Sequence, residues 1–180
     1  MSTGFSKRSE RVVFRGHVFN LAIGEFVTPD GETMERELVR HPGAVAVVPV
    51  EGDHVVLVRQ FRAAIADALL EIPAGKRDVA GEPPELCATR ELEEEIGMHP
   101  GRLEPLARFY NSVGFSDEDT IVFLGTDLHP VEAQAHGIEE EYMTVERVPL
   151  DDVPELIESG ELRDAKTIVG LLLALRRLGR

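Results

Sequence analysis

The chain has 180 residues, a formal net charge of -14 and a mean hydropathy of -0.10. This length fits one domain, or one domain with a small appendage. An excess of 33 acidic over 19 basic side chains predicts neither a nucleic-acid partner nor a membrane partner, because both surfaces are themselves negative. The one cysteine, Cys87, excludes an internal disulfide. The N-terminal stretch MSTGFSKRSERVVF has no apolar signal core, so we expect a cytoplasmic protein.

The first part of the chain is predicted to form a small antiparallel β unit. Arg11–Arg15 and Phe26–Val27 are rich in strand-forming residues, and Thr28–Gly31 is a turn signal. Met34–Arg40 alternates in part between polar and apolar residues. Such a unit has little core of its own, so its apolar side chains need a partner surface.

A break at His41-Pro42-Gly43 predicts a boundary between an N-terminal β extension, residues 1–42, and a main domain, residues 43–180. The main domain mixes strands and helices, which indicates an α/β or α+β class. Its predicted strands lie at 44–50, 54–59, 68–72, 120–125 and 142–148, and its predicted helices lie at 82–97, 151–158 and 164–177.

The first helix of the main domain gathers a high density of negative charge. Four of the eight residues Arg90–Gly97 are glutamates, and only Arg90 is basic. At about 100° per residue, an apolar stripe faces the core, and it contains Ala88, Leu92 and Ile96. Three of the glutamates share an adjacent arc, and these are Glu91, Glu94 and Glu95.

A solvated acidic face is the simplest interpretation of this arc, but three features oppose it. Like charges at i,i+4 destabilise a helix by a few tenths of a kcal/mol per pair. No lysine in the helix relieves them, and the helix dipole opposes negative charge in the last turns. A bound divalent cation removes these objections, because Mg²⁺ takes oxygen ligands from carboxylates and substrate phosphates. The arc therefore predicts a metal site for a phosphate ligand.

From Glu82 onward the chain reads seven residues and then Arg90-Glu91-Leu92-Glu93-Glu94-Glu95-Ile96-Gly97-Met98. This segment resembles the Nudix box, G-x5-E-x7-R-E-U-x-E-E-x-G-U, where U is a bulky aliphatic residue. Six residues separate Gly75 from Glu82, where the box has five. The extra residue falls in the loop Lys76–Gly81, where an insertion costs little.

The resemblance extends to the ADP-ribose pyrophosphatase branch of that family. Val58–Arg62, Glu71–Gly75 and Gly114–Glu118 are similar to segments of this branch, as is the strand-rich extension before His41. The resemblance implies a Nudix α/β/α sandwich around a mixed sheet. It also implies a homodimer in which residues 1–42 pack on, or swap with, the other subunit.

The same resemblance implies an enzyme that hydrolyses the diphosphate bond of ADP-ribose or a related nucleoside diphosphate derivative, giving AMP and a sugar phosphate. The stretch Phe109–Gly114 lacks the proline that is usual in this branch. This difference makes ADP-ribose less favoured as the substrate relative to other nucleoside diphosphate derivatives, such as sugar nucleotides. The alternatives are a nucleotide-sugar or dinucleoside polyphosphate pyrophosphatase, and a non-catalytic nucleotide-sensing domain. Sensing domains typically lose box glutamates, whereas all are present here.

By analogy with the family, Glu91 and Glu95 bind Mg²⁺ directly, with Mn²⁺ as the alternative metal. Glu94 is a further ligand or a partner of the ligands, and the Ala74 carbonyl is an additional ligand. Arg90 orients the glutamates through a salt bridge. Gly75, the first glycine of the box, gives structural support.

The general base is expected on the loop before Tyr142. An acidic residue serves there in the ADP-ribose branch, and Glu139 and Glu141 are favoured over Glu140; the alternative is a solvated acidic turn. Candidates for substrate contacts are Arg59, Arg62 and Glu118. An ordinary surface or strand-edge role is the alternative for each.

Overall fold

The computed structural model describes residues 4–132 and 142–180, and within these ranges the chain folds into two compact units. One unit combines residues 1–43 with 110–119, and we call it the N-terminal unit. The other combines residues 44–109 with 120–180, and we call it the main unit. No helix in the described ranges is long and apolar enough to cross a bilayer.

The N-terminal unit contains three antiparallel strands in the order β1 (Ser6–Arg15), β2 (Asn20–Val27) and β3 (Thr33–Arg40). The prediction of a small antiparallel unit is confirmed. Segment 110–119 joins β3, since the Val39 N–H donates to the Phe115 carbonyl at 2.7 Å.

The main unit is built on a mixed sheet. Its strands are β4 (Ala44–Glu51), β5 (His54–Arg62), β6 (Asp67–Glu71), β7 (Ala74–Lys76), β8 (Met98–Tyr110), β9 (Asp119–Pro130) and β10 (Thr144–Pro149). The order is β10-β5-β4-β9-β8, with β6 paired to β5 and β7 paired to β4. Strands β4 and β9 are parallel, whereas β4 and β5 are antiparallel.

Helices cover both faces of this sheet. They are α1 (Pro84–Ile96), α2 (Val153–Glu158) and α3 (Ala165–Leu178). Because side chains alternate along a strand, Val45 and Val47 of β4 pack with α1, whereas Ala46 and Val48 pack with α3. The predicted α/β/α sandwich around a mixed sheet is therefore confirmed.

Two strands of the main unit were absent from the sequence prediction, the short β7 and the long β8. Strand β8 contains Pro100 and Pro105, which argue against a central strand. It lies at the end of the strand order, where proline costs no ladder hydrogen bond on the outer side. The edge position thus explains why the sequence pattern failed there.

The ends of α1 and α3 lie within two residues of the predicted bounds. Pro84 opens α1, and Gly97 closes it with a left-handed φ of 64° while its N–H donates to Glu93 and Leu92 carbonyls. The Asp164 carboxylate caps α3 by accepting a hydrogen bond from the Thr167 N–H at 2.9 Å. These caps define the residue at which α1 ends and the residue at which α3 begins.

Candidate active site

The acidic helix lies directly against the backbone of β7. Ala88 and Leu92 of α1 are fully buried, and Ile96 packs beside them, as the predicted apolar stripe requires. A Cβ placed on Gly75 would lie 1.8 Å from Glu91 Cδ. The carboxylate of Glu91 therefore occupies the space that any side chain at position 75 would take, and only glycine leaves that space free.

Arg90 gathers the carboxylates of the arc. Its Nη1 lies 2.8 Å from Glu91 Oε1 and donates to Glu94 Oε2 at 3.0 Å. Its Nε and Nη2 both donate to the two oxygens of Glu82 at 3.3 Å. Hydrogen bonds from Arg90 hold the pKa of Glu82 below its usual range, and those to Glu82 raise the pKa of Arg90. One guanidinium thus offsets the like-charge repulsion along the helix.

Glu95 contacts the opposite side of the site. Its Oε2 accepts a hydrogen bond from the Ala74 N–H at 3.0 Å. This bond joins the last turn of α1 to the strand that carries Gly75. The Cys87 thiol makes a second link, because it is buried and donates to the Lys76 carbonyl at 3.4 Å. Burial, followed by a hydrogen bond with Glu82, raises the pKa of Cys87 to about 12, so it stays a neutral thiol.

The donor chemistry of this arc fits a hard divalent cation. Within residues 4–132 and 142–180, no group of three His, Cys, Asp or Glu side chains is already arranged around one metal position. Glu91 and Glu94 form ion pairs with Arg90, and the Glu95 carboxylate accepts a hydrogen bond from the Ala74 N–H. All three are oxygen donors, and Glu91 and Glu94 are only 13% and 18% exposed. Arg90 and the Ala74 N–H already orient these carboxylates, and a cation would add a further contact to them.

Arg62 belongs to the same unit as the box glutamates, and its guanidinium forms a bidentate pair with Glu71. Hydrogen bonds to Glu71 raise its pKa against burial, and the charge of Glu95 adds to this effect. Arg59 instead pairs with Glu146 at 2.6 Å and with Glu161 at 2.8 Å. The charge of Glu95 therefore acts on Arg62. Arg59 instead forms its ion pairs with Glu146 and Glu161.

The remaining predicted residues are Glu118 and the three candidates for the general base. Glu118 belongs to the N-terminal unit, where its Oε1 is 3.8 Å from His41 Nδ1. The three base candidates, Glu139, Glu140 and Glu141, lie outside the described residues.

Sequence reasoning missed the partners of two predicted residues. Glu82 was named only as a position of the box, and its role as the main partner of Arg90 was not foreseen. Glu71 and its second partner Lys166 were not singled out at all. The available signal was a glutamate inside the apolar stretch 68–72, because a charge there needs a buried partner.

The family model for the NUDIX domain matches residues 39–169. The chain belongs to the Nudix family. It is 42% identical over 156 residues to an ADP-ribose pyrophosphatase of Bacillus subtilis, which covers 86% of this chain and 84% of that protein. It is 36% identical over 160 residues to a methanol dehydrogenase activator of Bacillus methanolicus, covering 88% and 86%.

A solved structure described as an ADP compounds hydrolase superposes with a TM-score of 0.85 at 23% identity, covering 98% of this chain and 96% of that chain. This likeness shows the shared fold. The family match and the similarity to the Bacillus subtilis ADP-ribose pyrophosphatase confirm the prediction of a Nudix hydrolase similar to the ADP-ribose pyrophosphatase branch. The matched residues 39–169 include α1 and its arc of glutamates.

Gly75→Ala is expected to lower kcat about 10²-fold while the fold is retained, because a misplacement of about 1 Å at a catalytic group has that effect. The added methyl group would displace the Glu91 carboxylate, which is the mobile end of a flexible side chain. Steady-state kinetics and a thermal melt would measure the two effects separately. Wild-type kcat in this variant would show that Glu91 does not need its position against Gly75.

Proposed function

We propose that the chain is a Mg²⁺-dependent pyrophosphohydrolase that cleaves ADP-ribose, or a close nucleoside diphosphate derivative, into AMP and a sugar phosphate. The observation that carries the proposal is the arc of α1. There Arg90 holds Glu91 and Glu94, and Glu95 accepts the Ala74 N–H beside Gly75. The similarity to the Bacillus subtilis ADP-ribose pyrophosphatase supports the choice of substrate.

Glu91 and Glu95 would hold the cation directly, with Glu94 and the Ala74 carbonyl as further ligands and with Mn²⁺ as the alternative metal. A bound divalent cation supplies charge neutralisation at the diphosphate and makes water a stronger nucleophile at neutral pH. Arg90 would orient Glu91 and Glu94, since it already contacts both carboxylates.

The remaining chemistry is assigned to protein side chains beyond the helix. One of Glu139, Glu140 and Glu141 would accept the proton of the attacking water, which makes it the general base. Arg62, whose side chain is 37% exposed, would donate to the diphosphate. Arg59 and Glu118 remain candidates for substrate contacts, although each has a carboxylate or imidazole partner within its own unit.

A substrate panel tests the proposal directly. Purified protein is incubated with ADP-ribose, nucleotide sugars and dinucleoside polyphosphates at equal concentration, with Mg²⁺, with Mn²⁺ and with a chelator. We expect ADP-ribose to be among the fastest substrates, with AMP and ribose 5-phosphate as products resolved by chromatography. A panel in which ADP-ribose is among the slowest would reject the substrate, and turnover in the presence of chelator would reject the metal requirement.

The absence of the branch's loop proline near Val113 keeps a nucleotide-sugar pyrophosphatase as the second candidate. A sensing domain without catalysis is the third, and the Bacillus methanolicus relative, whose name describes an activator, makes it worth testing. The same panel separates them, because a sensing domain would bind nucleotides and release no product.

We further propose that the N-terminal unit forms the contact between two subunits of a homodimer, by packing or by exchange. Strand β1 and the turn that follows it leave several large apolar side chains 40% to 56% exposed, namely Val12, Val13, Phe14, Val18 and Phe19. Isolated exposed apolar residues are ordinary, but five within eight positions favour a surface that another chain covers.

Deleting residues 1–40 is expected to give an aggregated protein or an inactive monomer, because β3 and its hydrogen bonds to segment 110–119 would be lost. Phe14→Lys is the gentler variant and should shift the mass measured by light scattering toward the monomer, whereas the neighbouring Arg15→Lys should not. A soluble, active and monomeric truncation would contradict the proposed role of this unit.

A further inference from the structure

Glu71 is a buried carboxylate at the end of β6, three residues before Ala74. Its side chain is 1% exposed. Burial of an unpaired carboxylate costs several kcal/mol, so a charge at this depth needs partners that satisfy both oxygens. The proposed metal site gives Glu71 no part in binding or catalysis. Its function is therefore inferred from its partners.

Two cations meet at Glu71. Arg62 donates from Nε to Oε1 at 2.7 Å and from Nη2 to Oε2 at 2.6 Å, which is a bidentate pair in parallel geometry. The Lys166 ammonium, from the first turn of α3, contacts the same Oε2 and is only 13% exposed. Glu71 therefore keeps one cationic partner even when the other interacts with a ligand.

A chain of hydrogen bonds fixes this pair to the backbone next to the box. The Lys166 ammonium donates to Asp164 at 3.0 Å, and the Thr167 hydroxyl donates to the same Asp164 carboxylate at 2.7 Å. The Thr167 hydroxyl in turn accepts a hydrogen bond from the Ile72 N–H at 3.0 Å. The end of β6 and the first turn of α3 thus hold Glu71 from both sides, so the carboxylate has little freedom to move.

The pair with Glu71 leaves part of Arg62 outside it. Nε and Nη2 are used, and Nη1 is not part of the pair. The Arg62 side chain is 37% exposed, and the negative charges of Asp164 and Glu95 act on its guanidinium. A cation held here is a donor for an anionic group that approaches the box glutamates. A guanidinium whose orientation is already fixed loses less conformational entropy when it binds that group.

We propose that Glu71 is a positioning residue, which holds the Arg62 guanidinium so that it donates to the diphosphate of the substrate beside the box glutamates. The inference rests on the proposed function, because it takes the substrate to be a nucleoside diphosphate derivative. Glu71 itself touches no substrate. Lys166 satisfies the remaining charge of Glu71, so that the Glu71 carboxylate stays in place when Arg62 interacts with the diphosphate.

A double-mutant cycle tests whether Glu71 acts through Arg62. We expect Glu71→Gln to raise KM for ADP-ribose about tenfold with a much smaller change in kcat, because one charge-assisted bond is lost. Arg62→Gln should raise KM at least as much, and the double variant should be no worse than Arg62→Gln alone. Asp67→Asn is the matched control, since it changes another acid of β6 whose partner is the exposed Arg163.

Independent, additive effects on KM would overturn the inference. So would an effect of Glu71→Gln on the melting temperature alone, with KM unchanged, because that is the signature of a purely structural role. The Asp67→Asn variant should leave KM at the wild-type value. A rise equal to that of Glu71→Gln would mean that any charge change on β6 has this effect, and it would also overturn the inference.

A second measurement on the wild-type protein needs neither turnover nor a stable variant. The Arg62 Nε–H resonance is followed by ¹⁵N NMR while ADP-ribose is added in the presence of EDTA, and we expect it to shift. A resonance that stays fixed in EDTA, in a protein that hydrolyses ADP-ribose once Mg²⁺ is supplied, would overturn the role of Glu71 and leave the proposed function standing. A resonance that shifts in a protein without hydrolytic activity would support the positioning role and reject the proposed function.

Discussion

Glu95→Gln is expected to lower kcat on the order of 10³-fold while the free energy of unfolding changes by less than about 1 kcal/mol. The kinetic loss follows because a metal ion contributes several kcal/mol of transition-state stabilisation, and each 1.36 kcal/mol is tenfold in rate. The small change in stability follows from the contact of Glu95. Its Oε2 accepts the Ala74 N–H, and a glutamine carbonyl oxygen can accept the same hydrogen bond.

Glu93→Gln is the matched control on the same helix. Glu93 points away from the arc and pairs with His99 Nδ1 at 2.6 Å, and its side chain is 39% exposed. A surface pair of this kind contributes little to stability, so both kcat and the melting temperature should stay near wild type. Titration with Mn²⁺ should show weaker metal binding for Glu95→Gln only. Equal activity of the two variants would contradict the metal role of the arc.

The acidic helix was predictable because its signals are local. Helix ends, the apolar stripe and the spacing of the glutamates all depend on residues within four positions of each other. The structure adds what a helix diagram cannot give. Arg90 reaches back to Glu82 eight residues earlier, and Glu91 lies against Gly75 from another element. These contacts depend on how α1 packs on β7, which periodicity alone does not define.

The sequence pattern does not predict strand β8 or the ion pairs of Glu71, and the reason differs from one to the other. In β8 the prolines and the glycine carry a local turn signal, and the edge position of the strand overrides it. At Glu71 the local signal, a glutamate inside an apolar stretch, indicates that a buried partner is needed but does not identify it. Its meaning comes from Lys166, which is 95 positions away in the sequence. Ion pairs between distant elements form only when the fold brings those elements together. The pattern within one element therefore does not identify the partner.

The three glutamates before Tyr142 provide the second large effect. Among Glu139→Gln, Glu140→Gln and Glu141→Gln, one variant is expected to lose about 10²- to 10⁴-fold in kcat with little change in KM. The reason is that a general base acts on the proton of the attacking water and contributes little to substrate binding. Steady-state kinetics at saturating Mg²⁺ with ADP-ribose, or with the best substrate of the panel, would measure the split between kcat and KM.

The Mg²⁺ dependence of each variant separates a base from a metal ligand. A variant that lacks the base stays slow at every Mg²⁺ concentration, whereas one that lacks a ligand recovers part of its rate as Mg²⁺ rises, because the metal site is then refilled by mass action. The pH profile gives an independent criterion, since loss of the base removes the acidic limb of the kcat profile. Near-normal kcat in all three variants would place the base elsewhere, with the box glutamates and Asp117–Glu118 as the next residues to test.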